Sequence, residues 1–153
     1  MMRYLVLLVS LSVSFFSQAH EVHASNIDVT VQGNSIEILQ TTPIKEAQSI
    51  AKQLGAENAE HDTTLDAISS GWQIEHADGS CKLTKQAYRL AHHNSQLQMR
   101  YLFLCSSDNT PKSLALPWFK LTPEDHFIIM KLTINGKSDT VIFQRQDLVI
   151  ALG

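Results

Sequence analysis

The chain has 153 residues, 44% of them hydrophobic, with 15 acidic and 12 basic side chains and a formal net charge of −3. This length suits one domain with a single hydrophobic core. The basic residues form no cluster, which argues against nucleic acid and anionic membranes as partners.

The N-terminus has the features of a secretory signal peptide. A short basic start precedes an apolar run of about 13 residues, which is too short for a membrane span of about 20. Small residues predict cleavage after Ala19, and a rival site follows Ala24. We therefore expect residues 1–19 to be removed and residues 20–153 to form one periplasmic domain without a membrane span. Removal of this leader leaves 11 basic and 15 acidic side chains, a net charge of −4.

Alternating apolar residues predict a β-hairpin at each end of the mature chain. Each hairpin has two strands of period two around a two-residue turn of the type that hairpins prefer. The predicted hairpins are 27–38, with its turn at Gly33-Asn34, and 127–143, with its turn at Asn135-Gly136.

Between the hairpins the apolar spacing becomes helical. Thr42 is expected to cap a helix that has Pro43 at its first position, continues through 44–54 and ends at Gly55. A second, short helix is predicted over 64–70. The expected fold class is α+β: a mainly antiparallel sheet with hairpins at both ends and one or two covering helices in the middle.

The only two cysteines, Cys81 and Cys105, lie on two further predicted strands. Residues 97–105 alternate, and 81–90 can form their antiparallel partner through a turn at 91–95. In an exported domain two cysteines indicate one disulfide, and no Cys-x-x-Cys motif supports a redox or metal site. The bridge would close a loop of about 25 residues, which should stabilise the folded protein by about 3 kcal/mol by restricting the unfolded chain.

Two apolar segments complete the predicted elements. Residues 114–119 are interrupted by Pro117, so they are expected to form an edge strand or an irregular strand. Residues 148–152 are apolar on both faces, which predicts a central or well-covered last strand.

The candidates for chemistry are the seven histidines. His20 and His23 flank Glu21 at the start of the mature chain, where two imidazoles, a carboxylate and the α-amino group offer enough donors for Zn²⁺ or Cu²⁺. The alternative is a polar N-terminus without a metal. If cleavage follows Ala24, both histidines are removed.

His92 and His93 fall in the predicted turn between the cysteines, where both imidazoles can reach one ion. The alternative is a pair of solvated loop histidines. His126 opens a strand and is predicted to be a surface residue. No hydrolase signature or nucleotide-binding motif is present, so we do not expect an enzyme.

Several motifs follow one another over nearly the whole mature chain in an order that resembles a known family. They are the start 20–24, the hairpin that ends in 36–38 with Thr42-Pro43, Cys81-Lys82-Leu83-Thr84, Tyr101-Leu102-Phe103-Leu104-Cys105 and Leu116-Pro117-Trp118-Phe119. In this order the chain resembles the ZrgA-like family of small bacterial periplasmic proteins linked to zinc acquisition. The family's His/Asp tract between the cysteines is here reduced to His92 and His93.

This resemblance implies a periplasmic accessory protein that binds zinc and cooperates with a zinc-uptake system. The implied ligands are His20, His23, His92 and His93. The alternative function is a metal-free periplasmic interaction domain. The chain also resembles, more distantly, the extracytoplasmic domain of HupE/UreJ-type membrane proteins, which likewise begin with Ala-His-Glu and carry two cysteines.

Overall fold

The computed structural model describes residues 23–77, 79–106, 108, 110–143 and 149–153. The predicted leader and His20 lie outside these residues, so those two predictions stay open. Within the described ranges, no helix has the length and apolar character needed to cross a membrane.

The described residues form an α+β fold, as predicted, with strands at both ends of the chain and two α-helices between them. A 3-10 helix, Pro117–Leu121, covers part of the core. The strands and α-helices are β1 Ala24–Gln32, β2 Ser35–Pro43, α1 Ile44–Gln53, α2 His61–Ser69, β3 Gln73–Glu75, β4 Cys81–Ala91, β5 Gln96–Cys105, β6 Ser113–Ala115, β7 Phe127–Ile134, β8 Lys137–Phe143 and β9 Val149–Ala151.

Six strands form the main sheet, in the order β4-β5-β2-β1-β7-β8. The hairpins β1–β2 and β7–β8 are antiparallel, as predicted. The two hairpins join through β1 and β7, which pair in parallel with Ala24 opposite Phe127. The sheet is therefore mixed, and the two hairpins start at the same end of it. No local pattern signals this pairing, because it depends on the path of the intervening chain.

One face of the main sheet carries the core. Ile27, Val29 and Val31 on β1 are almost completely buried, in agreement with the predicted alternation. The edge-to-face pair Trp72 and Trp118 packs in the same core, with ring centroids 5.5 Å apart. Full burial of each large apolar side chain contributes about 1.5–3 kcal/mol, so this face supplies most of the driving force for folding.

The first helix begins differently from the prediction. β2 continues through Pro43, and α1 begins at Ile44 without a side-chain cap. The prediction that Thr42 caps the helix is wrong because its hydroxyl is used inside the sheet. Thr42 is fully buried and hydrogen-bonds Ser25 and Gln40.

The apolar C-terminal segments form a second, smaller sheet in the order β3-β6-β9. β6 is its central strand, and the residues from Pro117 onward form the 3-10 helix, which buries Trp118 and Phe119. The prediction of a central or well-covered last strand is wrong for β9, which lies at an edge with Val149 64% exposed. Ile150 and Leu152 are buried, so only one face of this strand meets the core.

Cys81 and Cys105 form a disulfide, which confirms the predicted bridge. They are directly opposite residues of the antiparallel pair β4–β5. β4 is a single strand, and its register shifts at a bulge between Leu83 and Lys85. The bridge therefore fixes the register of the edge strand β4 at the open end of its hairpin.

Replacing both cysteines by serine should lower the free energy of unfolding by about 3 kcal/mol, because the unfolded chain regains the freedom of the closed loop. Urea denaturation of the wild type and of the Cys81→Ser/Cys105→Ser variant measures the loss. A reducing agent should destabilise the wild type alone. Equal stability of the two proteins under oxidising conditions would contradict this role.

Candidate functional site at one end of the main sheet

Four of the six histidines that the structure describes lie at one end of the main sheet. β1 and β7 begin there with Ala24 opposite Phe127, and the backbone N–H of Phe127 donates to the carbonyl of His23 at 3.1 Å. β2 ends and β5 begins at the same end, since Pro43 pairs with Gln96. We call this region the histidine end, defined by its residues His23, His92, His93 and His126.

Glu46 is the centre of the histidine end. It lies in the first turn of α1, and its side chain is only 10% exposed. The Nδ1 atom of His23 hydrogen-bonds Oε1 of this carboxylate. The Nδ1 atom of His126 lies 2.6 Å from Oε2, although its N–H does not point straight at that oxygen. One buried carboxylate thus faces two imidazoles.

Hydroxyl groups connect the second imidazole to the sheet. The Oγ atom of Ser25 lies 3.0 Å from Nε2 of His126 and 2.8 Å from Oγ1 of Thr42. Gln40 donates from Nε2 to the same Thr42 oxygen at 3.1 Å. One consistent set of directions has Thr42 donating to Ser25 and Ser25 donating to Nε2 of His126, while Nδ1 of His126 lies close to Glu46 outside hydrogen-bond geometry.

Burial lowers the pKa of His126 below its usual range. The nearby carboxylate of Glu46 acts in the opposite direction, and the neighbouring His23 lowers the pKa further. Desolvation is the largest effect because the side chain of His126 is fully buried. The lowered pKa favours the neutral imidazole, which can accept a hydrogen bond from Ser25 through Nε2.

Ser25, His126 and Glu46 follow the order of a nucleophile, a base and an acid, but their surroundings do not suit nucleophilic catalysis. Ser25 is completely buried. The cavity of about 150 Å³ at this end is lined by His23, Glu46 and Pro123, among others, and not by Ser25. In the described part of the chain, this hydroxyl is shielded from solvent. The expectation that the chain is not an enzyme stays a prediction.

His23 also approaches a second carboxylate. Its Nε2 atom lies 3.9 Å from Oδ2 of Asp125, whose side chain is 73% exposed. Zinc binds imidazole nitrogen at about 2.0–2.1 Å and carboxylate oxygen at about 2.0–2.2 Å. Two donors 3.9 Å apart can therefore share one ion. Within the described ranges, no three His, Cys, Asp or Glu side chains form a group that could hold a metal.

The turn that carries His92 and His93 belongs to the same end of the sheet. His92, His93 and Asn94 all have left-handed backbone angles, with φ of 49°, 56° and 63°. The backbone N–H of Ile44, the first residue of α1, donates to the carbonyl of Ser95 at 3.1 Å. Both histidines are exposed on this turn, so the structure brings them to the end of the sheet where His23 lies. Their role as ligands stays a prediction.

Two residues of the site escaped the sequence reasoning. His126 was predicted to be a surface residue, and this is wrong, because the parallel pairing of β7 with β1 buries it. Glu46 carries a weak signal: it lies four residues before the buried Ile50, on the side of α1 that faces the sheet. A carboxylate on the buried side of a helix indicates a partner elsewhere in the chain.

The sequence matches no protein-family model and no curated protein. The resemblance to zinc-linked periplasmic proteins therefore remains a prediction from the motifs.

The stability of the metal-free protein should depend on His126. Because burial lowers its pKa, the unfolded chain takes up the proton at a higher pH than the folded protein does. The contribution is complete above about pH 7 and is lost as the pH falls through about 6.5. Urea denaturation at several pH values with a chelator should show a steeper acid loss in the wild type than in His126→Gln.

His92→Gln is the matched control for this measurement. It removes an exposed imidazole and should retain the pH dependence of the wild type. Identical pH profiles for the wild type and His126→Gln would show that the buried imidazole does not determine acid stability.

Proposed function

We propose that this chain is a periplasmic accessory protein that binds zinc at its histidine end and assists zinc uptake. The observation that carries the proposal is the hydrogen bond between Nδ1 of His23 and the buried carboxylate of Glu46. Metal-binding histidines usually donate their second N–H to a carboxylate, which fixes the tautomer and makes the other nitrogen a better donor. This pairing supports Nε2 of His23 as the metal-binding atom.

Asp125 is the second proposed ligand. Its carboxylate lies 3.9 Å from Nε2 of His23, a separation that one zinc ion can bridge. The exposure of Asp125 leaves it free to adjust its position around an ion. Glu46 is proposed to orient His23 rather than to bind the metal, because both of its oxygens face imidazoles.

Two described ligands are too few for a tetrahedral zinc site. The sequence offers further donors in His20, three residues before His23, and in the α-amino group that cleavage after Ala19 would create. The turn histidines His92 and His93 lie at the same end and are proposed to complete the site. A site without thiolate ligands should bind zinc only modestly, which suits a protein that passes the metal on.

Calorimetric titration of Zn²⁺ into the mature protein at neutral pH tests this proposal. Glu46→Gln should weaken zinc binding about 10- to 100-fold, because an outer-shell carboxylate that orients a ligand is lost. Glu57→Gln, on the exposed loop after α1, is the matched control and should leave the affinity unchanged. Affinity should also fall as the pH drops through about 6.5, since only neutral imidazole binds metal.

Replacing His92 and His93 by alanine should weaken zinc binding at least tenfold, about 1.4 kcal/mol. The fold should survive because the turn is exposed. His76→Ala, in the loop after β3, is the control for removal of a histidine far from the histidine end. An unchanged isotherm in the double variant would remove the turn from the site, and no binding by the wild type would reject the zinc proposal.

The second candidate function is a metal-free interaction domain. Its support is the exposed edge strand β4, which is far from the histidine end over most of its length. If zinc does not bind, this function becomes the preferred one.

A further inference from the structure

β4 is a long edge strand with an exposed backbone edge. It has 11 residues and pairs only with β5, at the end of the six-stranded sheet. Apart from Cys81, Leu83 and Ala91, all of its residues are exposed. An edge of this length presents a row of backbone donors and acceptors that another extended segment can bind.

The face of β4 that points away from the helices is cationic. Lys82, Lys85, Ala87 and Arg89 lie opposite outward-facing residues of β5, so they share one face of the sheet. The bulge after Leu83 preserves this alignment by adding one residue between the two lysines. The cations therefore form one row along the edge.

A groove runs beside this row on the surface of the sheet. Its larger part has a volume of about 570 Å³ and is lined by Lys85, Ala87 and Arg100, among others. Arg100 donates to Glu37 at 2.8 Å, and Arg89 donates to Gln98. These contacts fix two cations in place. Among the described residues, neither lysine of the row has an ion-pair partner.

The groove is positive on a chain whose overall charge is negative, so the expectation that the basic residues form no cluster is wrong for this face. Three cations, Lys85, Arg89 and Arg100, line it against the single carboxylate of Glu37. Such a local concentration of one sign favours a partner of the opposite sign and repels a like-charged one.

The other face of β4 is mainly apolar at the same edge. It carries Leu83, Tyr88 and Leu90, with Tyr88 and Leu90 37% and 39% exposed, and one polar residue, Gln86, which donates to Asp66 of α2. The ring of His61 in α2 contacts Tyr88 edge-to-face at a centroid distance of 5.5 Å and covers it only in part. An added strand would place every second side chain against this apolar strip.

We propose that the β4 edge binds an extended segment of a partner protein in which acidic and apolar residues alternate. The segment would extend the sheet by one strand, with its acidic side chains over the groove and its apolar side chains against Tyr88 and Leu90. Lysine and arginine on an edge oppose pairing with uncharged strands. Two copies of β4 would bring like charges together, so a second copy of the chain is disfavoured.

This proposal does not depend on the zinc site, and its test is run with a chelator. The probe is a fluorescein-labelled eight-residue peptide of alternating Glu and Val, and the readout is fluorescence anisotropy. The Lys85→Glu/Arg89→Glu variant should bind the peptide at least about tenfold more weakly than the wild type. The Lys52→Glu/Lys137→Glu variant makes the same charge change at exposed sites away from the groove. It should bind the peptide with nearly the affinity of the wild type.

A block peptide with four Glu followed by four Val separates strand addition from simple charge attraction. It should bind at least about tenfold more weakly than the alternating peptide, because only alternation matches the two faces of β4. Circular dichroism confirms that each variant is folded. Equal binding of the two peptides, no binding of either, equal affinity of both charge variants, or a dimer of the chain that blocks the peptide would each overturn the proposal.

Discussion

The buried carboxylate of Glu46 is the constraint on which the histidine end depends. A carboxylate that is 10% exposed needs polar partners, which here are the hydrogen-bonded imidazole of His23 before β1 and the adjacent imidazole of His126 before β7. Both residues can reach it only because β1 and β7 run in parallel and begin side by side. The contacts of this one carboxylate therefore require both the long connection that brings the hairpins side by side and the position of α1 beside them. Removing the imidazole of His23 would take away a hydrogen-bond partner of this carboxylate.

In the same arrangement, the solvent exposure of the side chains increases from His126 through His23 to Asp125. His126 is fully buried, the side chain of His23 is 26% exposed and that of Asp125 is 73% exposed. The buried members hold the partly exposed imidazole in one orientation, which lowers the entropy lost when it binds a ligand. Under the zinc proposal, the exposed members would exchange the metal with solvent or with a partner. The proposed carrier role requires both properties, because a carrier selects the ion and also releases it.

The sequence predicts the parts of this structure that depend on local patterns. Period-two alternation identifies both hairpins, and the compartment argument identifies the disulfide between Cys81 and Cys105. The parallel joining of the hairpins depends on contacts about 100 residues apart, which no local pattern encodes. His126 was misassigned for this reason. Of the predicted ligands, the structure brings His23, His92 and His93 to one end, while His20 lies outside the described residues.

In the proposed zinc site, Nε2 of His23 binds the metal while Glu46 holds Nδ1. Imidazole nitrogen resonances, followed by long-range ¹H–¹⁵N correlation spectra during a zinc titration, test it most directly. We expect the Nε2 resonance of His23 to shift on metal binding, its Nδ1 to stay protonated, and His126 to stay neutral with its proton on Nδ1. Spectra in which the His23 resonances do not respond to zinc, or in which Nδ1 of His23 carries the metal, would contradict it.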